Sequence, residues 1–291
     1  MLNRFINEKT LRIAVGLSLV SQILIVVTGG AVRLTASGLG CPTWPTCTHE
    51  SLVTVPAMGI HGIIEFTNRL LTFALLVIAG VTALLAFRLE QAKKIRLSSV
   101  LLIVGILLQA VIGGISVLTK LNPWVVGLHF VVSAAMIAIA ARQYWQLGQH
   151  QTLSVSSSLL ATSNMLIVLG FLAELLGVIV TGSGPHAGDI NTPRNGLDSE
   201  LWQKMHSIPG YLTVITCTVL IVSLTRFAKQ TMAFRYLLGL GISLVLQIAL
   251  GIWQANAGLP VWMVLMHMAL ASVVCAQLVL QRSALAPKSN A

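Results

Sequence analysis

The sequence predicts an all-α integral membrane protein with eight transmembrane helices, arranged as two pseudo-repeated four-helix bundles. Three observations lead to this prediction. Of 291 residues, 56% are apolar and only 9% are charged, and a mean hydropathy of +0.87 is typical of proteins that cross a membrane several times. Eight apolar runs are each long enough to cross a bilayer. Segments of the first half of the chain also recur in the second half.

The eight predicted helices take up most of the chain. A helix needs roughly 20 consecutive apolar residues to cross the hydrocarbon core. The first run follows a basic flank, but it is too long for a signal-peptide core and no convincing cleavage site follows it, so we predict a retained helix. The eight runs lie near 13–32, 58–87, 97–119, 122–142, 159–181, 203–225, 236–257 and 260–281.

The distribution of Lys and Arg predicts the orientation. With eight helices, both termini and every second loop share one side, and that side holds 13 of the 18 basic residues. Such an excess marks the cytoplasmic side. We therefore predict cytoplasmic termini, and the net charge of +10 needs no nucleic-acid partner to explain it. The basic residues on that side are Arg4, Lys9, Arg12, Arg88, Lys93, Lys94, Arg96, Arg142, Arg226, Lys229, Arg235, Arg282 and Lys288.

Two long loops lie on the predicted outer side, at 33–57 and 182–202. The first reads RLTASGLGCPTWPTCTHESLVTVPA. It places Cys41 and Cys47 in an oxidising compartment, where a disulfide can form. Their spacing matches neither C-x-x-C nor the C-x-x-C-H of covalent haem attachment. We predict a disulfide, and whether it is structural or redox-active stays open.

An internal repeat relates the two halves of the chain. QAVIGGISVLTKLNPWVVGLH (109–129) aligns with QIALGIWQANAGLPVWMVLMH (247–267), so that Gln, Gly and the final His coincide at an offset of 138 residues, which is 267 minus 129. VVTGGA (26–31) likewise resembles VIVTGSG (178–184). The repeat predicts an N-terminal half at 1–146, a polar cytoplasmic linker at 147–158 and a C-terminal half at 159–291.

Four of the seven histidines lie in predicted membrane helices, one in each even-numbered helix. At 1.5 Å per residue, all four lie about 5–10 Å below the outer ends of their helices. A single helical histidine is usually a packing residue, but four at one depth are difficult to explain in that way. Paired histidines can supply two axial nitrogens to a haem iron. We predict one pair of His61 with His129 and another of His206 with His267.

The start of the second helix, IHGIIEFTNRLLT (60–72), carries a polar stripe. His61, Glu65, Asn68 and Arg69 lie within about 100° of one another on a helix. A charge at this depth is usually functional or paired. Two interpretations stay open at this point: Glu65 and Arg69 neutralise each other at i,i+4, or the carboxylate serves chemistry on a group bound at His61.

Three segments are similar to signature segments of haem A synthases: TGGAVRLTASGLGCPTWPTC (28–47), HGIIEFTNRLLT (61–72) and TGSGPHAGD (181–189). The similarity covers essentially the whole chain. It implies a cell-membrane enzyme that oxidises the methyl group at ring position 8 of haem O to a formyl group. Two successive hydroxylations would give a geminal diol that loses water, producing haem A for cytochrome oxidase. One departure is that some bacterial members carry a second cysteine pair in the third outer loop, whereas 182–202 has none.

The resemblance also implies a ligand set. His206 and His267 would hold a permanent haem b cofactor, and His61 and His129 would face the haem O substrate. The cysteine pair of the family maps onto the first outer loop. Implied partners are haem O synthase, cytochrome oxidase assembly factors and an electron donor, with no nucleic acid.

This ligand set implies functions for the residues of the polar stripe. Glu65 would flank a macrocycle bound at His61 and act as the catalytic residue, either by stabilising positive charge at the reacting methyl carbon or by moving protons. Arg69 and Arg33 are candidates for pairing with haem propionates, because a guanidinium offers a bidentate fork. Asn68 would orient Glu65 or Arg69.

Two other functions remain open. A di-haem b-type cytochrome that only carries electrons would also need paired helix histidines, but not a carboxylate on the ligand stripe or a cysteine loop. A haem transporter or chaperone would bind haem loosely in one half. Analysis of haems extracted after aerobic supply of haem O separates these functions from the enzyme.

Overall fold

The computed structural model describes residues 6–148 and 150–288; Arg4 and position 149 of the predicted linker lie outside them. Within the described residues, the eight predicted helices are confirmed, and each is long and apolar enough to cross a membrane. The chain is therefore a multi-pass membrane protein. The helices are α1 Glu8–Leu34, α2 Gly59–Arg88, α3 Arg96–Leu118, α4 Pro123–Leu147, α5 Ser157–Ser183, α6 Ser199–Thr225, α7 Met232–Asn256 and α8 Val261–Ser283.

Several helices begin earlier than their apolar runs, because polar residues cap them. The side chain of Asn7 accepts the backbone N–H of Thr10 at the start of α1, and Asp198 accepts that of Leu201 at the start of α6. Such caps satisfy N–H groups that have no partner inside the helix. These first turns are polar, so they lie outside the apolar runs from which the helices were predicted.

The outer surface of the helices is apolar. Phe73 is 66% exposed and Leu97 is 71% exposed, which suits contact with lipid hydrocarbon rather than water. Near the end of α7 and the start of α8, Trp253 and Trp262 meet edge to face with centroids 5.7 Å apart. Tryptophans in such positions are typical of the membrane–water interface.

The helices form two rings of four. In one ring α1 contacts α2, α2 contacts α3, α3 contacts α4 and α4 contacts α1, and the second ring repeats this order with α5 to α8. The rings meet where α4 packs on α8, α1 on α8 and α4 on α5. The internal repeat predicts an arrangement of this kind. The pseudo-repeat of the two bundles and the cytoplasmic location of the termini stay predictions.

The end of the bundle away from the long loops is closed by short elements. Leu11 at the start of α1 packs with Ala86 and Ile95 at the α2–α3 connection, so these segments lie at one end. Two three-residue strands, β1 Leu153–Val155 and β2 Leu285–Pro287, pair in parallel and join the linker to the C-terminal segment. This pair was not predicted, because three residues are too few to show a strand periodicity.

The two long loops meet at the other end. The N–H of Gly38 donates to the carbonyl of Gly188 at 2.8 Å, and Gly188 has a φ of +101° that suits glycine. The ring of His186 bonds to the carbonyl of Leu259, between α7 and α8, at 2.8 Å. Both halves therefore contribute to one continuous loop surface, which we call the loop end.

Candidate functional site

The C-terminal half brings two of the predicted ligands together. The rings of His206 on α6 and His267 on α8 have centroids 6.4 Å apart and planes inclined at 75°. Nδ1 of His206 lies 2.8 Å from the carbonyl oxygen of Ala173, to which only a protonated nitrogen can donate. Nε2 of His206 is therefore the nitrogen left for a ligand in the neutral ring.

The geometry of this pair fits a haem iron. Metal–imidazole bonds are about 2.0 Å long, so the centroids of two imidazoles on opposite sides of one metal ion lie about 6 Å apart. Both rings are also bordered by glycine, because a Cβ at Gly177 or Gly251 would lie 3.1 Å from Cε1 of His206 or His267 respectively. The absence of side chains there lets each imidazole lie close to the neighbouring helix.

Two histidines can complete the coordination of a haem iron. In the part of the chain that the structure describes, no three His, Cys, Asp or Glu side chains lie close enough to hold a metal ion by themselves. A haem supplies four nitrogens from its own ring and requires only axial ligands from the protein. Two imidazoles are the donor set that such a haem requires.

The N-terminal half is more open. His61 on α2 is exposed, and its Nδ1 lies 2.9 Å from the hydroxyl of Ser37. His129 on α4 has a buried Nδ1 without a hydrogen-bond partner, and a Cβ at Gly113 would lie 3.4 Å from its Cε1. Between residues 6 and 148, these two rings make no contact like that of the C-terminal pair. Their pairing stays a prediction.

Glu65 lies one turn deeper than His61 and is only 5% exposed. Its Oε1 accepts from Arg69 Nε at 3.1 Å and Nη2 at 2.5 Å. Its Oε2 accepts the backbone N–H of Cys41 at 2.6 Å. The carboxylate is thus paired, buried and held against the first long loop.

Arg69 also holds that loop. Besides its bonds to Glu65, the guanidinium donates to the carbonyls of Cys41 at 2.8 Å, Thr43 at 3.0 Å and Thr46 at 3.3 Å. A guanidinium has five N–H groups, and these contacts use them all. The Glu65–Arg69 pair therefore fixes the cysteine loop to the same helix face that carries His61.

The other predicted polar residues have unsatisfied atoms. Arg33 donates from Nη2 to the carbonyl of Thr181 in the other half at 2.5 Å, while its Nε is buried without a partner. Oδ1 of Asn68 is also buried without a partner, and the structure shows no bond from Asn68 to Glu65 or Arg69. The predicted orienting role of Asn68 therefore has no contact in its support.

The predicted disulfide is confirmed. Cys41 and Cys47 are bonded, and both are fully buried. Between them, the indole of Trp44 lies so close to Gly114 on α3 that any side chain there would collide with it. The loop is thus packed against two helices of the N-terminal half.

Comparison with known proteins shows the family of the chain. Residues 12–279 match the family model COX15-CtaA, described as cytochrome oxidase assembly protein. The chain belongs to this family. The resemblance to haem A synthases is thereby confirmed at the level of the family, as is the location in the cell membrane.

Relatives in the cytochrome oxidase assembly family are bacterial proteins named "Heme A synthase". One from Exiguobacterium sp. is 24% identical over 89% of this chain and 88% of its own length. Another, from Exiguobacterium sibiricum, is 25% identical over 85% and 86% respectively. A third, from Halalkalibacterium halodurans, is 29% identical, but the match spans only 45% of this chain and 44% of that protein.

Sequence reasoning missed several residues of the sites in this family member. Ala173, Gly177 and Ser37 act through a backbone carbonyl, an absent side chain and a loop hydroxyl, none of which forms a recognisable motif. Gln109 and Gln247 coincide in the repeat, but alignment alone did not reveal that their amides bond to the carbonyls of the histidines.

The disulfide leads to a labelling prediction. Denatured, unreduced protein is expected to take up maleimide at only Cys217 and Cys275, the two free cysteines, and at all four cysteines after reduction. A seven-residue loop closed in this way stabilises the fold by about 2–3 kcal/mol in the chain-entropy account. Mass spectrometry of the labelled protein counts the adducts. Four adducts without reductant would show that the resting pair is not oxidised.

Proposed function

We propose that this protein is a haem A synthase, an oxidoreductase that converts the C8 methyl group of haem O to a formyl group. Two successive hydroxylations would give a geminal diol that loses water. Family membership and the names of the relatives support haem A biosynthesis. The observation that carries the finer proposal is the asymmetry of the two halves: the C-terminal half pairs two imidazoles, whereas the N-terminal half places a buried carboxylate one turn from an exposed histidine.

His206 and His267 would hold the resident cofactor, haem b. When bound, it would pass electrons singly to the reaction in the other half. The carbonyl of Ala173 holds the His206 ring through Nδ1 and so directs Nε2 to the metal. Under this proposal, 159–291 is the cofactor half, 1–146 is the substrate half and 147–158 is the linker.

His61 and His129 would face haem O in the N-terminal half. Arg33 is the better candidate for a propionate partner, because its Nε is buried and unpaired. Arg69 already donates all its N–H groups within the protein. We therefore assign Arg69 to holding the cysteine loop, and Asn68, with its unpaired oxygen, to the lining of the substrate site.

Glu65 would be the catalytic group. Its two oxygens are fixed by Arg69 and by the backbone N–H of Cys41, so the carboxylate does not need to reorganise during the reaction. A preorganised anion stabilises positive charge that develops on the carbon being oxidised. A carboxylate in this position can also take up a proton from the substrate.

The proposed reaction requires partners. Haem O synthase would supply the substrate, an electron donor in or at the membrane would supply reducing equivalents, and cytochrome oxidase assembly factors would receive the product. Haem O is an apolar substrate, and the apolar outer surface of the helices suits its entry from the membrane and its return to it.

The test is to express the chain aerobically with haem O synthase in cells that lack any other haem A synthase. We expect a formyl haem in the extract that is absent from cells with the empty vector. A di-haem electron carrier would leave haem O unchanged while adding b-type absorbance to the membranes. A transporter or chaperone would change where haem O is found but not its mass. The result expected of an electron carrier and the result expected of a transporter would each contradict the proposal.

A further inference from the structure

A short chain of hydrogen bonds lies behind the ring of His61 in the substrate half. Nδ1 of the ring is 2.9 Å from Oγ of Ser37, and Ser37 is fully buried. Oγ of Ser37 is in turn 2.8 Å from Oγ1 of Thr35. The Thr35 hydroxyl donates to the carbonyl of Ala31 at 2.8 Å. The chain therefore connects the imidazole to the last turn of α1.

The direction of these hydrogen bonds follows from the number of hydrogens, because a hydroxyl has only one. Thr35 donates its hydrogen to the carbonyl of Ala31, so its oxygen accepts from Ser37. The hydroxyl of Ser37 also lies 3.3 Å from the carbonyl of Thr35, and a bond there would use the same hydrogen. In both cases Ser37 has no hydrogen left for the ring, so its oxygen accepts the N–H of Nδ1. The free lone pair of neutral His61 is then on Nε2.

The cofactor half reaches the same tautomer with a different acceptor. Nδ1 of His206 donates to the carbonyl of Ala173 at 2.8 Å, which leaves Nε2 for a ligand. A hydrogen bond at Nδ1 does not compete with a metal at Nε2, and it is retained when the metal binds. The bond between Ser37 and His61 therefore favours the form of the ring that ligates iron.

Ser37 is held firmly in this position. Its own N–H donates to the carbonyl of Val32 at 2.9 Å, and the next N–H, of Gly38, donates to the carbonyl of Gly188 in the cofactor half at 2.8 Å. Gly40 lies so close to the backbone of His61 that any side chain there would collide with it. The hydroxyl is thus a fixed acceptor for the ring.

We propose that Ser37 is a positioning residue that presents Nε2 of His61 to the iron of haem O. This inference rests on the proposed function, which makes haem O the group bound at His61. The same loop fixes the carboxylate of Glu65 through the N–H of Cys41. One short segment, 35–41, therefore sets both the ligand ring and the proposed catalytic group.

The test is Ser37→Ala in purified protein that retains haem b. Haem O is titrated into the protein in detergent, and the difference spectrum in the Soret band follows its binding. We expect binding about 10- to 100-fold weaker than in the wild type, the usual effect of removing the hydrogen-bond partner of a metal-ligating histidine. The resonance Raman spectrum of the bound haem O should shift from six-coordinate towards five-coordinate. Haem b content should stay at the wild-type value, because its proposed ligands are on other helices.

A second variant changes the chain one step further from the ring. Thr35→Val removes the hydroxyl that accepts from Ser37, while the backbone carbonyl at this position can still accept. Haem O binding should weaken by roughly 2- to 10-fold, the effect of one hydrogen bond. If Ser37→Ala is not recovered in folded form, this variant decides the question, and wild-type binding of haem O by it would contradict the inference.

The chain offers a matched control in Thr119, which follows the last residue of α3. Its hydroxyl lies 2.8 Å from the carbonyl four residues earlier and 3.3 Å from the carbonyl three residues earlier, as that of Thr35 does. The structure shows no bond from this hydroxyl to a serine or a histidine. Thr119→Val should therefore bind haem O with the wild-type affinity and coordination.

A folded Ser37→Ala protein that binds haem O with the wild-type affinity and coordination would overturn the inference. A parallel loss of haem b would also overturn it, because it would show a general structural role. Failure of the proposed function has a different signature. A wild-type protein that binds haem O but forms no formyl haem refutes the enzyme, whereas weaker haem O ligation in Ser37→Ala still supports the inference. A wild-type protein that does not bind haem O refutes both.

Discussion

Glu65→Gln is expected to give a folded, membrane-inserted protein that keeps haem b at His206 and His267 but no longer completes the oxidation. Loss of one preorganised electrostatic contact typically lowers a rate by about 10²–10³, a change that is easily seen in a haem extract. The hydroxymethyl intermediate is expected to accumulate if the second hydroxylation is the more affected. The haems are extracted and identified by mass spectrometry. Protein yield and haem content are measured on the same samples.

A purely structural role for Glu65 gives another result. The carboxylate pairs with Arg69 and binds the Cys41 N–H, so its loss would leave a partly buried cation without its anionic partner and loosen the loop. Yield and haem content would then fall together with activity. The Glu65→Gln/Arg69→Gln double variant should recover all three properties if charge balance alone mattered, and should remain inactive if Glu65 is catalytic.

Two further variants make this comparison interpretable. Arg69→Gln alone reports the effect of losing the bonds to the carbonyls of the cysteine loop. Glu200→Gln breaks an i,i+4 pair with Lys204 whose carboxylate side chain is 77% exposed, and it should leave yield and turnover unchanged because exposed pairs contribute little. Near-normal haem A production by a well-folded Glu65→Gln protein would contradict the catalytic assignment.

Removal of His206 or His267 is expected to abolish the b-type absorbance of the purified protein. The centroids of the two rings lie 6.4 Å apart, so both imidazoles would hold the haem, and loss of either would leave it with a single protein ligand. His61→Ala and His129→Ala should keep most of that absorbance while turnover is lost. Haem content per protein, from the pyridine haemochrome spectrum, separates the two classes.

His186→Ala is the matched control for these substitutions. This histidine bonds to the carbonyl of Leu259 in the loop end and has no proposed contact with haem, so its loss should leave the haem content unchanged. A His267→Ala protein with full haem content and a six-coordinate spectrum would refute the ligand assignment.

Much of the fold could be predicted because every membrane-spanning helix needs a long run of apolar residues. Eight apolar runs gave eight helices, and the four-residue spacing of His61, Glu65 and Arg69 correctly predicted one shared helix face. Helix starts were less accurate, since α1 begins at Glu8 rather than near 13. A polar cap such as Asn7 extends a helix without adding any apolar residue.

The contacts of the sites were harder to predict. The bonds of Arg69 to loop carbonyls depend on the path of the chain around Cys41 and Cys47, which no periodicity describes. The packing of Trp44 on Gly114 joins a loop to a helix far along the sequence. Such features follow from tertiary packing and become visible only in three dimensions.

The central claim is tested most directly by turnover in purified protein. Wild-type protein loaded with haem b and haem O would be incubated aerobically with a reductant, and the haems would be extracted and weighed by mass spectrometry. The account predicts a new haem with one more oxygen and two fewer hydrogens than haem O, formed in wild-type protein and not in Glu65→Gln. Quantitative recovery of unchanged haem O from folded, haem-loaded wild-type protein would contradict it.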